Sequence, residues 1–368
     1  MEKEQENHTT FAGFILLGLS ASPEFQGLLF PIFLSMYLLS LLGNLLIILL
    51  IFSSKTLFHA PMYFFLTHLS LADLGFSSNA VPKMLQILVS QTNTISYSGC
   101  LTQMYFFVVF CTADNFLLAS MAYDRYIAIC RPLHYATIMS YKCCLLLAAG
   151  SWLLSFFQGL LYVFTISNFS FCGSREIPHF FCDLHPLLQL SCSDTSSAET
   201  LLMFEGTATM LGPLILIVLS YIFIGFKVLK VPSASGKYKA FSTCSAHLTT
   251  VALFYGTLIG TYIRPSSTYS GSRLRVASIF YTVVTPMLNP FIYSLRNREM
   301  HEALRRLLRV WFQRRKVMGK IHTLPVNNFP TADLISECGK LGKQLMLTRK
   351  VLCIWPWYSV IDTPHISE

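Results

Sequence analysis

The chain has 368 residues, of which 53% are hydrophobic and only 12% are charged. A soluble globular domain carries about 25% charged residues, so this composition excludes an ordinary soluble protein and favours one that is embedded in lipid. The formal net charge is +9; because the basic residues flank apolar stretches, they favour anionic lipid as a partner and disfavour nucleic acid.

Seven apolar stretches reach the length of about 20 residues that a helix needs to cross hydrocarbon. Two of them contain one acid each, Asp73 and Asp114. Uncharged runs of this length lack the alternation of a membrane barrel, so they predict helices. The sequence therefore predicts an all-α membrane protein, a seven-transmembrane helix bundle over residues 25–295. Its helices are expected near residues 25–53, 60–85, 97–131, 143–166, 200–229, 238–263 and 272–295.

Both ends of the chain lie outside this bundle. Residues 1–24 form a tail before the first helix. Residues 296–312 are predicted to form a short amphipathic cytoplasmic helix that lies on the membrane surface, because apolar residues recur there at helical spacing. The alternative is a solvated basic tail. Residues 313–368 mix basic residues with prolines and are expected to be disordered, although the apolar cluster at 351–360 could bind a partner.

Basic residues set the orientation. They follow the first, third and fifth predicted helices and are dense after the seventh, which predicts a cytoplasmic C-terminus and an outer N-terminus. The third outer loop, with Arg264, Arg273 and Arg275, runs against this distribution.

The predicted outer face carries modification signals. Asn7 and Asn168 each begin an Asn-x-Ser/Thr glycosylation sequon, and disulfides persist on that side of the membrane. Its four cysteines allow three pairings. Pairing Cys100 with Cys182 would drape the second outer loop over the bundle, and Cys172 and Cys192 would then close a smaller ring.

The two acids in mid-membrane need an explanation, because a carboxylate at a helix centre costs on the order of 2.5–3.5 kcal/mol. Asp73 and Asp114 could share a cation with Asn44, Ser120 and Asn289. Alternatively, one carboxyl is protonated and hydrogen-bonded. A sodium ion is therefore one possible structural cofactor.

Several motifs follow one another in order, each on the expected helix. With them, the chain resembles the mammalian odorant receptors of the tetrapod type, within the rhodopsin-like (class A) G-protein-coupled receptors. The resemblance covers about residues 7–310, and the tail beyond 312 has no counterpart in it. The motifs are Gly43-Asn44, Pro61-Met62-Tyr63-Phe64-Phe65-Leu66, Leu69-Ser70-Leu71-Ala72-Asp73, residues 121–135, Ser220-Tyr221, residues 239–244 and residues 286–293.

This resemblance implies a plasma-membrane receptor, not an enzyme, that activates a stimulatory olfactory-type heterotrimeric G protein and raises cAMP. It implies a sodium pocket at Asp73. It also assigns a coupling and switch role to Asp124, Arg125, Tyr126, Tyr221, His247, Asn289, Pro290 and Tyr293. Simpler interpretations stay open: Arg125 as an anchor at a helix end, His247 as a packed core residue, and Pro290 as a static kink.

A ligand cavity is expected between the outer halves of the third, fifth, sixth and seventh helices. It should be mainly apolar and aromatic with few polar anchors, which suits a small volatile organic ligand. No acid stands at Phe107 to bind an amine, and Tyr255 occupies a position where most class A receptors have Trp. Each expected lining residue could equally pack between helices. They are Met104, Phe107, Val108, Cys111, Thr112, Phe204, Glu205, Thr209, Tyr255, Leu258, Ile259, Tyr262, Ile279 and Thr282.

Two other functions compete with a signalling receptor. A seven-helix channel or transporter would need a continuous polar path, and the intramembrane acids are too few to line one. A receptor-like chain that no longer signals is suggested by the unusual tail. An enzyme is disfavoured, because neither a metal-ligand spacing nor a nucleophile–base set occurs.

Overall fold

The computed structural model describes residues 13–19, 23–90, 92–172, 174–262, 271–295 and 297–322. Its long helices confirm the predicted all-α bundle. The last helix of the bundle, α7 (271–295), consists of Gly271–Ile279, a π-helical turn at Phe280–Val284, and Thr285–Leu295. The others are α1 (Pro23–Ser53), α2 (Pro61–Ser90), α3 (Tyr97–Cys130), α4 (Tyr141–Ser167), α5 (Ser196–Leu229), α6 (Ala234–Tyr262) and, after the bundle, α8 (Arg298–His322).

Within the described residues, five helices are long and apolar enough to cross a membrane: α1, α3, α4, α5 and α7. The two remaining helices fall short of this criterion, because α2 carries Asp73 and Lys83 and only the part of α6 from Cys244 to Gly260 is apolar. Both belong to the seven-helix bundle, since α2 packs against α1 and α3 and α6 packs against α3 and α7. Asp73 on α2 faces inward and is 1% exposed.

Helix α3 is the central element of the bundle and packs against α2, α4 and α5. In its most apolar window, 72% of the residues are buried, against 17% in α5. The outward faces of the peripheral helices instead carry large apolar side chains, such as Phe157 and Phe204, which are 77% and 76% exposed. Residues on α3 are therefore the best placed to connect the two ends of the bundle.

Helices α1 and α7 meet at a proline. Pro290 has no backbone N–H, so the carbonyl of Pro286, four residues earlier, loses its helical partner. The side-chain Nδ2 of Asn44 on α1 donates to that carbonyl at 3.0 Å. The neighbouring Gly43 permits this approach, since a Cβ there would lie 2.9 Å from the Pro290 ring. The Gly43-Asn44 motif thus supplies the hydrogen bond that Pro290 cannot make.

A small three-stranded sheet covers one end of the bundle, which we call the outer end. Strand β1 (Phe14–Leu16) pairs antiparallel with β2 (Thr94–Ile95) and parallel with β3 (Glu176–Ile177). Within the predicted tail of residues 1–24, strand β1 has buried side chains at Phe14 and Leu16, and α1 begins at Pro23 rather than at residue 25.

Two disulfides hold the loop between α4 and α5 at the outer end. Cys100, in the first turn of α3, is bonded to Cys182, and Cys172 is bonded to Cys192. The loop segment His179–Leu184, which we call the plug, is packed into the end of the bundle, because Phe180 and Phe181 are fully buried. Asn168, the described glycosylation candidate, is exposed where α4 ends; Asn7 lies outside the described residues.

The amphipathic helix is longer than predicted. Helix α8 continues to His322 rather than ending at Phe312, so the first part of the segment 313–368 is helical; residues 323–368 lie outside the described residues. Met300 and Ala303 are buried against the bundle, whereas Trp311 is 51% exposed. A basic helix with exposed aromatic residues suits a membrane surface.

His179 in the buried plug is held as a neutral imidazole. The backbone N–H of Phe181 donates to its Nδ1 at 3.3 Å, so Nδ1 accepts and Nε2 carries the proton towards Ser278 Oγ, 3.0 Å away. Burial, together with the nearby Arg275, lowers the pKa of His179 from 6.5 to about 3.

Acid should therefore destabilise the outer plug. Below pH 6.5 the imidazole of His179 binds a proton in the unfolded chain, whereas the buried imidazole of the folded protein stays neutral. The free energy of unfolding then falls by up to about 1.4 kcal/mol per pH unit until the folded pKa is reached, and this contribution is absent above pH 6.5. The melting temperature of the purified protein in nanodiscs should drop more between pH 7 and pH 5 than that of His179→Gln. Equal drops would contradict the assignment.

Candidate functional site

A cavity of about 210 Å³ lies beneath the plug, between α3, α4, α5 and α6. Helix α3 supplies one complete face of it, at the spacing of successive turns. That face carries Met104, Phe107, Val108, Cys111, Thr112 and Asn115. The remaining walls come from the plug (Asp183, Leu184), α4 (Gln158, Tyr162), α5 (Leu202, Met203, Gly206, Thr207, Thr209, Met210) and α6 (Leu258).

The structure brings together seven of the residues expected at this site. They are the five from α3, together with Thr209 and Leu258. Their agreement follows from helical periodicity, since the spacing of the α3 residues alone fixes which of them share one face.

Of the three residues expected from α5, Thr209 lines the cavity directly. Phe204 is 76% exposed on the outside of the bundle, and Glu205 reaches the cavity wall through its hydrogen bonds to Gln158 and Thr209. The lining residues Leu202, Gly206 and Met210 recur at intervals of four, so the inner face of α5 is rotated away from Phe204.

Most of the residues expected from α6 and α7 also do not reach the cavity. Tyr255 is buried in the layer below it, Ile259 is 37% exposed, and Thr282 is fully buried with its hydroxyl donated to Ser278 O. Ile279 packs against the apolar core. The side chain of Tyr262 lies outside the described residues. The π-helical turn at Phe280–Val284 changes the spacing of α7, which sequence periodicity could not anticipate.

One wall of the cavity is a chain of hydrogen bonds that crosses three helices. Thr112 Oγ1 donates to Gln158 Oε1 at 2.6 Å, and Gln158 Nε2 donates to Glu205 Oε2 at 3.0 Å. Thr209 Oγ1 donates to the other carboxylate oxygen of Glu205 at 2.8 Å. Gln158 was not among the expected lining residues because α4 was not expected to contribute, although a lone Gln in an apolar helix was an available signal.

The plug closes the cavity from outside. The Cys182 N–H donates to Gln103 Oε1 on α3 at 2.9 Å, and the Phe181 ring stacks on Phe107 with centroids 5.0 Å apart. Asp183 and Leu184, which line the cavity, directly follow Cys182. Their position beside a cysteine of the second outer loop was the available sequence signal.

The acidic pair lies below the cavity. Asn289 Nδ2 donates to both oxygens of Asp73, at 3.1 and 2.9 Å, and Asp114 lies close enough to Asp73 to repel it electrostatically. Asp114 Oδ1 and Asn289 Oδ1 are buried without a hydrogen-bond partner. Of the other expected ligands, Asn44 is bonded to Pro286, and the Ser120 hydroxyl donates to Phe116 O.

Both oxygens of Asp73 thus already accept from Asn289, whereas Asp114 Oδ1 and Asn289 Oδ1 are hard oxygen donors without a partner. Among the described residues, no group of three His, Cys, Asp or Glu side chains could hold a metal ion.

At the far end of α3, Arg125 is ion-paired with its neighbour Asp124, its Nε donating to Asp124 Oδ2 at 3.0 Å. The second carboxylate oxygen accepts from the Tyr135 hydroxyl at 2.7 Å. Tyr126 packs beside Phe223 of α5, with ring centroids 5.9 Å apart. The guanidinium is thus held on its own helix, at the end of the bundle opposite the plug.

His247 joins three helices. Its Nε2 lies 3.0 Å from the carbonyl of Leu118 on α3, which can only accept, so Nε2 carries the proton. Its Nδ1 then accepts from the Tyr221 hydroxyl on α5, 2.9 Å away. The Tyr293 hydroxyl is buried without a hydrogen-bond partner.

Comparison with known proteins agrees with this architecture. A family model described as olfactory receptor matches residues 33–310. Human olfactory receptor 1L6 is 55% identical over 80% of this chain and 85% of its own length. Human olfactory receptor 1L4 is 54% identical over 83% of the chain and 98% of its own length. Chimpanzee (Pan troglodytes) olfactory receptor 1D5 is 54% identical over 84% of the chain and 99% of its own length.

The fold also resembles a solved receptor. The crystal structure of squid rhodopsin superposes with a TM-score of 0.63 at 19% identity, covering 77% of this chain and 81% of that one. The resemblance that the sequence motifs indicated is therefore confirmed, as is the expectation of a membrane receptor rather than an enzyme. The chain belongs to the olfactory receptor family.

Proposed function

We propose that this odorant receptor binds a small, mostly apolar organic molecule in the cavity beneath the plug and then activates a stimulatory olfactory-type G protein, raising cAMP. The observation that carries the proposal is one helix, α3, that lines the cavity at one end and holds a restrained arginine at the other. The cavity, at about 210 Å³, is below the range of about 300–1,000 Å³ for drug-sized ligands. Its occupant is accordingly small.

The contacts of Arg125 support a resting state. Its guanidinium is paired with Asp124, and Tyr135 holds the same carboxylate. Breaking this pair releases a cation at the end of the bundle that also carries the basic helix α8. The identity of the G protein comes from the family and not from these contacts.

Helix α6 is the element that a ligand can bias. It contributes Leu258 to the cavity and is fastened to α3 and α5 lower down by His247. An odorant that binds better to the arrangement in which this fastening is broken shifts the population towards it, and only that difference in affinity drives activation.

The orientation is part of the proposal. We infer that the plug faces outward and α8 faces the cytoplasm, because disulfides persist in oxidising compartments and basic residues concentrate on cytoplasmic segments. Both disulfides lie at the plug end, and Arg305, Arg306 and Arg309 lie on α8.

Sodium, if bound, would be held by Asp73, Asp114 and Asn289. Its charge would relieve the repulsion between the two carboxylates and satisfy the unpartnered oxygens of Asp114 and Asn289. The alternative is a protonated carboxyl at one of the two acids.

The main test is ligand-evoked cAMP in cells that co-express the olfactory Gα subunit, with an N-terminal tag stained on intact cells. Small apolar odorants should raise cAMP in the wild type, and Arg125→Ala should lose more than about tenfold of the response, because the coupling cation is gone. Lys55→Ala removes an exposed cation elsewhere and should respond normally. A ligand-evoked current without cAMP would favour a channel.

Tyr135→Phe should raise basal cAMP by roughly threefold to tenfold, because it removes one hydrogen bond to the ionised Asp124 and loosens the hold on Arg125. Tyr141→Phe is the matched control, since Tyr141 is 67% exposed. Basal cAMP is normalised to surface staining. Unchanged basal activity in Tyr135→Phe would show that this hydrogen bond does not restrain the resting state.

Replacing choline with sodium should lower basal nucleotide exchange in wild-type membranes but not in Asp73→Asn. The variant keeps the shape of the side chain and removes its charge. Glu205→Gln, which neutralises a carboxylate outside this site, should keep the sodium effect. A sodium response that survives in Asp73→Asn would leave the protonated carboxyl as the better explanation.

A further inference from the structure

Asn115 is a buried polar residue in the cavity wall that the resting hydrogen bonds leave half satisfied. It lines the cavity from α3, and its residue exposure is 4%. Its Nδ2 donates to the carbonyl of Cys111 at 3.0 Å, whereas its Oδ1 is buried without a hydrogen-bond partner. A buried acceptor left in this state costs free energy, so an occupant that donates to it is favoured.

The orientation of this amide is fixed by its partner. Amide oxygen and nitrogen are otherwise interchangeable. The Cys111 carbonyl has no proton to give, so the amide atom beside it must be the NH₂ group. The free atom of Asn115 is therefore the oxygen, and it can only accept.

The other described polar groups around the cavity are largely engaged with the protein. The hydroxyls of Thr112, Thr209 and Tyr162 all donate to protein acceptors, and Gln158 donates to Glu205. The Asp183 carboxylate accepts from the Leu184 N–H. Of the cavity residues that the structure describes, Asn115 is the one with a buried side-chain oxygen that has no hydrogen-bond partner. The apolar walls, which include Phe107 and Leu258, fit the rest of the molecule.

The neutral acceptor favours a hydroxyl over an ammonium. Burying a charged ammonium among mainly apolar walls costs far more free energy than burying a hydroxyl. An alcohol or phenol can donate to Asn115 Oδ1 without carrying a charge, whereas an ether or ketone can only accept.

We propose that the odorant is a hydroxyl compound, an alcohol or phenol with an apolar body, whose O–H donates to Asn115 Oδ1. This inference rests on the proposed function, since it names the chemical class that the odorant cavity prefers. It makes Asn115 a specificity-determining residue. The receptor should bind the hydroxyl compound about tenfold more tightly than the matching methyl ether. This is the effect expected when one buried acceptor gains a hydrogen bond instead of staying without one.

The test uses the full-length receptor in nanodiscs and matched compounds with one carbon skeleton: hexanol, octanol, citronellol and eugenol, each with its methyl ether, and the amines of the first two. Ligand-dependent rise in melting temperature measures binding without a G protein, and cAMP in cells measures signalling. At least one hydroxyl compound should bind about tenfold more tightly than its ether and amine.

Two variants assign that preference to Asn115. Asn115→Leu keeps the volume and removes the acceptor, so the ratio of hydroxyl to ether affinity should fall to about one, with ether binding retained. Asn115→Asp keeps an acceptor and should retain the preference. Surface staining and the unliganded melting temperature verify folding.

The outcomes separate the two claims. Ethers or amines that bind as well as the alcohols, a preference that survives in Asn115→Leu, or no binding by any hydroxyl compound would overturn the inference. Hydroxyl compounds that bind with the expected preference but evoke no cAMP would support the inference and contradict the proposed coupling to a stimulatory G protein.

Discussion

In hydrocarbon, each backbone polar group needs a partner inside the protein, and the break at Pro290 is where this constraint shapes the receptor. The proline leaves the Pro286 carbonyl without its helical N–H, and Asn44 on α1 supplies the replacement donor at 3.0 Å. This bond, with the close approach that Gly43 allows, fixes α7 against α1. Asn289, the residue before the proline, is thereby turned towards Asp73 on α2. The hydrogen bond that compensates for Pro290 thus connects α1, α7 and α2 and positions the acidic pair.

The same need for hydrogen-bond partners inside the protein explains the role of α3. It is the most buried of the membrane-length helices, so its polar residues must be satisfied by other helices, by a ligand or by an ion. At the end of the bundle opposite the plug, Asp124 is satisfied by Arg125 and Tyr135. Higher up, Asp114 and Asn115 each keep a buried oxygen without a partner. The satisfied groups hold the resting arrangement, and the unsatisfied ones lie where we propose that an ion and an odorant bind.

The plug bounds the cavity at one end and limits its size. The disulfide from Cys100 to Cys182 anchors the loop to α3, and Phe181 then stacks on Phe107 at the cavity wall. A rigid cover leaves a small, mostly apolar space in which a single unsatisfied acceptor can discriminate between compounds of the same carbon skeleton. His179, neutral and buried in that cover, makes its packing sensitive to acid.

The sequence by itself determined the membrane class, the helix order, the family and the inward face of α3, because these depend on local hydrophobicity, motif order and the period of a single helix. It also located Asp73, Arg125 and Asn289, since charged and amide groups in apolar segments are conspicuous. Only the tertiary structure decided the rest of the cavity. The rotation of α5, the contribution of Gln158 and the exclusion of Thr282 depend on helix tilt and on the π-helical turn in α7. Strand β1 has only three residues, too few for a periodic pattern, and exists because β2 and β3 are brought beside it. Which polar atoms remain unpartnered, such as Asn115 Oδ1, is decided by contacts between helices far apart in the chain, and no local pattern records them.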